Sequence, residues 1–278
     1  MELDELTAKI ARFAKQTLDE QKAFIDELVQ IHPTLNVRWG SGWRYRRARR
    51  LDPGEIPRTV DEVIWPKNTP AKLGRANPEG FRVMYLADRR DTALREARVE
   101  EGWVVIAEFE IRAGKSVFIC PIGELSQIVR TGRGYLSGAA SKTLSDMVNA
   151  CPLDESRSLI ITDAFLFEQM TGQYDLSSRV ATAIFDKLPN ISGIAYSSQR
   201  QIGAINFAVR ADTFWQSWGL TSVRRAFAEH LALGFYRLKD ATGVTGVYQS
   251  GKFEWEQNPT NEEATNLLDP PYFPTNLT

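Results

Sequence analysis

Between positions 44 and 50 the chain carries Arg44, Tyr45, Arg46, Arg47, Arg49 and Arg50. Guanidinium groups grip phosphate oxygens through paired N–H donors. The run therefore suits a small phosphate-bearing ligand or, with its aromatic neighbour, the backbone and bases of a nucleic acid. If it forms a strand, alternation puts Arg47 and Arg49 on one face and Arg46 and Arg50 on the other, leaving part of the cluster simply solvated. Other chemistries lose their usual markers: the sequence has no nucleophile elbow, no Walker phosphate loop and no paired histidines at metal spacing. His32 and His230 sit among apolar residues and read as structural. Gly132-Arg133-Gly134 lacks the third glycine of a dinucleotide fingerprint and reads as a turn. Cys120 and Cys151 lack metal-ligand spacing and are too few for a disulfide framework, so both read as buried thiols in a reducing compartment.

These groups need elements to hold them. Leu3, Leu6, Ile10, Phe13, Leu18, Phe24, Ile25 and Leu28 recur at helical spacing, so one or two amphipathic helices precede Pro33. The basic run leads into a loop rich in Pro and Gly that extends to Gly80. Phe81–Ala87 alternates like a strand, and Asp91–Glu100 has helix-forming residues with Asp88 or Asp91 as N-cap. Glu96 then sits a turn or more into a helix that follows a strand. Segments 103–111, 116–122, 194–197 and 205–209 read as strands, and 139–150 and 178–188 as helices. His230–Leu238 fits strand or helix, Thr245–Trp255 resembles a hairpin around Ser250-Gly251, and the proline-bearing tail from Asn258 has little pattern.

At 278 residues with 43% apolar side chains the chain can bury a substantial core. Its 34 Lys and Arg nearly cancel its 35 Asp and Glu, so no global field favours nucleic acid or an anionic membrane. There is neither a secretory signal at Met1–Glu5 nor a run long enough to span a bilayer, which makes a cytoplasmic location the expectation. Strands and helices mix without strict alternation, which favours α+β over a doubly wound sheet. The expected organisation is a helical extension at 1–33, a catalytic domain at 34–218 and a C-terminal segment at 219–278 that packs on it.

Three blocks carry a family likeness. The first is Tyr45-Arg46-Arg47-Ala48-Arg49. The second joins Gly74-Arg75-Ala76-Asn77-Pro78 and Gly80 to Met84-Tyr85-Leu86-Ala87 and Thr92-Ala93-Leu94-Arg95-Glu96. The third is Gly193-Ile194-Ala195-Tyr196-Ser197-Ser198, with Asn206 just after. In this order and spacing, over roughly residues 44–210, they resemble the RES family, named for its Arg, Glu and Ser. The resemblance implies an ADP-ribosyltransferase-like mixed-sheet core with flanking helices. It also implies NAD as substrate without a metal, and cleavage of the nicotinamide–ribose bond by hydrolysis, by phosphorolysis or by ADP-ribose transfer to a protein. Studied relatives include toxins of toxin–antitoxin systems, so a helix-turn-helix antitoxin of the Xre type is the implied partner.

By the same resemblance the catalytic set is Arg47, Tyr85, Glu96 and Ser198, with Arg46 and Arg49 as alternative registers for the arginine and Ser197 for the serine. Arg47 would hold NAD phosphates, with Arg49, Arg75 and Asn77 as further contacts. Tyr85 would stack on nicotinamide, Glu96 would oppose the positive charge that develops on ribose, and Ser198 would bond phosphate or ribose. The rival from another class is a non-enzymatic nucleic-acid-binding module built on Arg44–Arg50.

Overall fold

The computed structural model of the chain describes residues 1–65, 70–257 and 267–274. In chain order the elements are α1 (Leu3–Phe13), α2 (Leu18–Ile31), β1 (Val37–Gly40), β2 (Arg44–Arg50), β3 (Val83–Ala87), α3 (Arg90–Glu96), β4 (Glu101–Ile111), β5 (Ser116–Pro121), α4 (Glu124–Thr131), α5 (Ser141–Asn149), α6 (Leu153–Thr171), α7 (Tyr174–Lys187), β6 (Gly193–Ser197), β7 (Ile205–Arg210), α8 (Phe214–Ser217), β8 (Trp218–Ala232), β9 (Phe235–Val247) and β10 (Phe253–Trp255). The class is α+β, with parallel and antiparallel pairings both present. Among the described residues no helix is long and apolar enough to cross a membrane.

The chain divides into two compact units, neither continuous in sequence. The first comprises residues 1–37, 71–81 and 118–197. Its helices pack through a ring trio: Phe13 meets Phe165 edge-on at 4.9 Å, and Phe24 lies 5.6 Å from the same ring. A capping box of Thr17 and Glu20 starts α2, satisfying amide hydrogens that the helix itself cannot. At the other end Lys187 donates to the carbonyl oxygens of Val29, Gln30 and His32, placing a cation on the negative end of the helix. The parallel pair β5 and β6 aligns Ile119 with Gly193 and Cys120 with Ile194. Glu124, fully buried, accepts the amides of Tyr135, Leu136 and Ser137, and Asp163 accepts those of Gly123 and Ser126. These carboxylates fold the 123–137 segment, where Gly132 ends α4 in the left-handed region at φ 76°.

The second unit comprises residues 38–70, 82–117 and 198–278, so far as these are described. Its antiparallel sheet runs β7-β3-β2-β4-β8-β9-β10. The basic run is β2, paired along its whole length with β4 from Arg44↔Glu110 to Arg50↔Val104. Alternation faces Tyr45 toward Phe207 and Trp218, at 4.9 and 5.1 Å between ring centres. Ala48, one pleat over, packs with Leu94 of α3, Val104 and Ile106. Burying a side chain the size of Leu94, which is 0% exposed, stabilises by about 1.5–3 kcal/mol, enough to hold a two-turn helix that would not persist alone. His230–Leu238, ambiguous in sequence, spans the turn between β8 and β9, and Thr245–Trp255 forms the expected hairpin. The irregular tail expected from Asn258 lies outside the described residues up to 266. Tyr272 pairs with Leu220, and Phe273 covers the Arg112 guanidinium at 3.7 Å.

Candidate active site

The first turn of α3 follows β3 by only two residues, and Glu96 is the last residue of that helix. There its Oε1 accepts a hydrogen bond from Ser198 Oγ at 2.7 Å and another from Asn206 Nδ2 at 2.6 Å. Oε2 faces Arg200 Nε at 3.7 Å. The carboxylate is thus pinned through one oxygen, and the second is turned toward a cation with its side chain one-third exposed. Glu96 lies more than a turn into the helix, as expected, but the helix ends there and does not run on to Glu100. The chain leaves the helix at Ala97 and passes through Arg98 at φ 55° into β4.

Ser198 is 8% exposed, and its hydroxyl is fully engaged. It donates to Glu96 and accepts from the backbone N–H groups of Arg200 and Gln201, both at 3.1 Å. One donor and two lone pairs exhaust a hydroxyl. Ser198 therefore orients Glu96 and ties down the 198–204 turn. It has no hydrogen-bonding capacity left for the phosphate or ribose contact expected from the sequence. Ser197, the other register, is the last residue of β6.

Asn206 follows the third family block and has no expected role there. Its register partner on β3 is Ala87, and alternation gives Tyr85 the same face. A polar side chain inside an apolar strand, 7% exposed, is the signal that could have assigned it, because buried amides need partners. Arg200 lies in a turn and carries no such signal.

The arginines separate as alternation requires. Arg46 is paired with Glu108 at 2.9 Å and donates to the carbonyl oxygens of Arg44 and Asp88. Arg49 is held by Glu55 at 2.9 Å, which also accepts the amide of Asp52. Arg47 differs from both. Beyond the single pair Arg46↔Ala87, β2 and β3 part, and the Arg47 guanidinium reaches the Tyr85 carbonyl oxygen through Nη1 at 3.5 Å. Burial draws its pKa down to about 10, opposed by Tyr85 and reinforced by Arg49. Arg47 is thus held less firmly than Arg46 or Arg49.

Arg75 and Asn77 belong to the first unit. Arg75 donates to the carbonyls of Met170 and Gly172 and lies over the Tyr174 ring at 5.4 Å. Asn77, 3% exposed, gives its amide hydrogens to Lys72 and Pro78. Arg75 ties its loop to the end of α6 and Asn77 fastens its own loop, so these bonds supply a structural role for residues expected to touch NAD.

The histidines are structural in their surroundings. Burial draws His32 down to about 4, and His230 links Glu100 to the Gly234 amide. Cys120 is buried, its thiol pushed up to about 12, whereas Cys151, expected to be buried, is half-exposed beside the Met147 carbonyl. Among the described residues no group of three or more His, Cys, Asp or Glu side chains could hold a metal ion.

A family model described as the RES domain matches residues 43–217, more than half of the chain and all of the residues discussed at this site. A comparison with curated proteins finds no match.

Proposed function

The chain belongs to the RES-domain family, and from that premise we propose that it is an NAD-consuming enzyme that cleaves the bond between nicotinamide and ribose. The observation that carries the reading is the Glu96 carboxylate, held by Ser198 and Asn206 from distant parts of the chain. A fixed carboxylate of this kind suits one reaction class well. As the C1′–N bond breaks, the electron pair leaves with nicotinamide and positive charge grows on the ribose. A preorganised anion stabilises that state more than it stabilises the bound substrate. Nicotinamide leaves as a neutral ring from a cationic one, so departure needs neither a metal nor a general acid.

In this reading Oε2 of Glu96 faces the ribose while Oε1 stays with Ser198 and Asn206. Tyr85, half-buried on the same face as Asn206, offers its ring to nicotinamide. Arg47 supplies the positive charge for a phosphate. Water, inorganic phosphate or a protein side chain then attacks C1′. Arg46 and Arg49, already in ion pairs with Glu108 and Glu55, weaken the alternative of a nucleic-acid module. The test is to incubate the purified protein with NAD, with and without inorganic phosphate and a cell extract, and to identify products by mass. Free nicotinamide supports the reading and its ribosyl partner names the acceptor; intact NAD under all three conditions overturns it.

A further inference from the structure

The second unit presents an apolar apex. Leu231, Leu233 and Phe235 lie at the junction of β8 and β9 and are 49%, 84% and 63% exposed, and Ile202, in the turn before β7, is fully exposed. The two turns meet, because the Gln201 side chain fills the space that a Cβ on Gly234 would take. Apolar side chains exposed singly are ordinary, whereas several at one apex mark a contact surface.

The fold itself gives no reason for a leucine at this tip. Leu233 holds φ 52°, a conformation that costs any residue with a Cβ and that a two-residue hairpin turn normally gives to asparagine or glycine. A polar residue there would relieve the backbone strain and the apolar exposure together. What Leu233 touches outside the fold is therefore the better account of its presence.

Shape and charge select the partner. The apex is convex, with side chains projecting from the tips of two turns, so it offers no trough to a helix and suits a deformable phase. Neither 197–205 nor 230–239 contains a carboxylate. At the base of the hairpin Arg237 and Lys239 share the single carboxylate of Glu229. Arg95 rests on an uncharged partner, the His230 ring nitrogen that also accepts the Gly234 amide, while Glu100 is held by the other ring nitrogen. These three cations outnumber the two carboxylates, a local surplus in a chain of nearly balanced charge. A second copy placed on a two-fold axis here would turn Arg237 and Lys239 toward their own counterparts, a like-charge contact. We propose that Leu231, Leu233, Phe235 and Ile202 insert into the interface of an anionic lipid bilayer, with Arg95, Arg237 and Lys239 toward its headgroups. The proposal is independent of the reaction at Glu96.

The full chain is sedimented with vesicles of phosphatidylcholine alone and with vesicles in which about one-third of the lipid is phosphatidylserine. Wild type should partition onto the anionic vesicles about tenfold more strongly than onto the neutral ones, and high salt should remove most of that preference. Leu233→Asn and Phe235→Ala should each weaken partitioning by about tenfold or more. Leu233→Asn also relieves the strained turn, so lost binding with an unchanged or raised Tm is not a loss of fold. No binding by wild type, equal binding to both vesicles, or equal binding by wild type and both variants overturns the proposal. A dimer that both variants dissociate, without vesicle binding, overturns it too and gives the apex to a second copy.

Discussion

Glu96 Oε1 accepts the hydroxyl hydrogen of Ser198 at 2.7 Å across 102 residues of sequence. The bond makes the pair one device. The helix brings the carboxylate to the sheet, the turn after β6 brings the hydroxyl, and Asn206 fixes the same oxygen from β7. Three separate segments converge on one atom, so the orientation of Glu96 is set by the folded sheet and not by its own short helix.

Glu96→Gln keeps the size of the side chain and removes its charge. NAD cleavage in single turnover should fall by on the order of a hundredfold or more, while NAD affinity changes little. Arg47→Ala should do the reverse and weaken NAD binding with a smaller effect on the bound-state rate, because a phosphate is gripped in ground and transition states alike. Cleavage near the wild-type rate in Glu96→Gln would remove the carboxylate from the mechanism.

Much of this second unit was legible from the sequence because its signals are local. The alternation of Arg44–Arg50, the strand at Val83–Ala87 and the helix before Glu96 all follow from side-chain period. The 19-residue α6 was not read, because Ser156, Thr162, Asp163 and Thr171 lie buried along it and dilute the apolar stripe. Nor did the sequence reveal that the Ser198 hydroxyl is saturated. Its acceptor bonds come from Arg200 and Gln201 only once the turn has closed, and its donor bond needs a helix 102 residues upstream.

Ser198→Ala should act through Glu96. It removes the donor to the carboxylate and the acceptor for two backbone amides, so stability should fall by about 1–3 kcal/mol. Turnover should drop about tenfold with little change in NAD affinity, and Ser198→Thr should restore most of both. A Ser198→Ala protein that binds NAD poorly but cleaves bound NAD normally would instead place the hydroxyl on the ligand.

The turn between β8 and β9 contains Leu233 at φ 52° and Gly234 at φ 83°, flanked by the pair Ala232↔Phe235. Both central residues are left-handed, a two-residue turn that favours Asn-Gly, and Leu233 is 84% exposed. Leu233→Asn should stabilise by about 1 kcal/mol and raise Tm by roughly 2–4 °C in a thermal melt. An unchanged or lower Tm would mean that the leucine side chain contributes more than its backbone costs.

The last prediction concerns two buried groups of the first unit whose effects on stability run in opposite directions with pH. Burial raises Asp163 from 3.8 to about 6 despite the amides of Ser126 and Gly123, so between these values the folded chain binds more protons than the unfolded chain. Its contribution is fully present below pH 3.8 and is lost as pH rises through about 6. Burial, aided by Lys187, lowers His32 from 6.5 to about 4, so here the unfolded chain binds more protons. That contribution is present above pH 6.5 and lost as pH falls through about 4. Across pH 4 to 6 the two slopes oppose each other. Asp163→Asn removes one and leaves the other. Its unfolding free energy, from urea titrations at half-unit steps, should therefore climb more steeply with pH than that of wild type, by up to roughly 3 kcal/mol over the window. The lost carboxylate oxygen lowers the whole curve without changing its slope, so the slopes are the measurement. Parallel curves would mean that Asp163 titrates alike in the folded and unfolded chain.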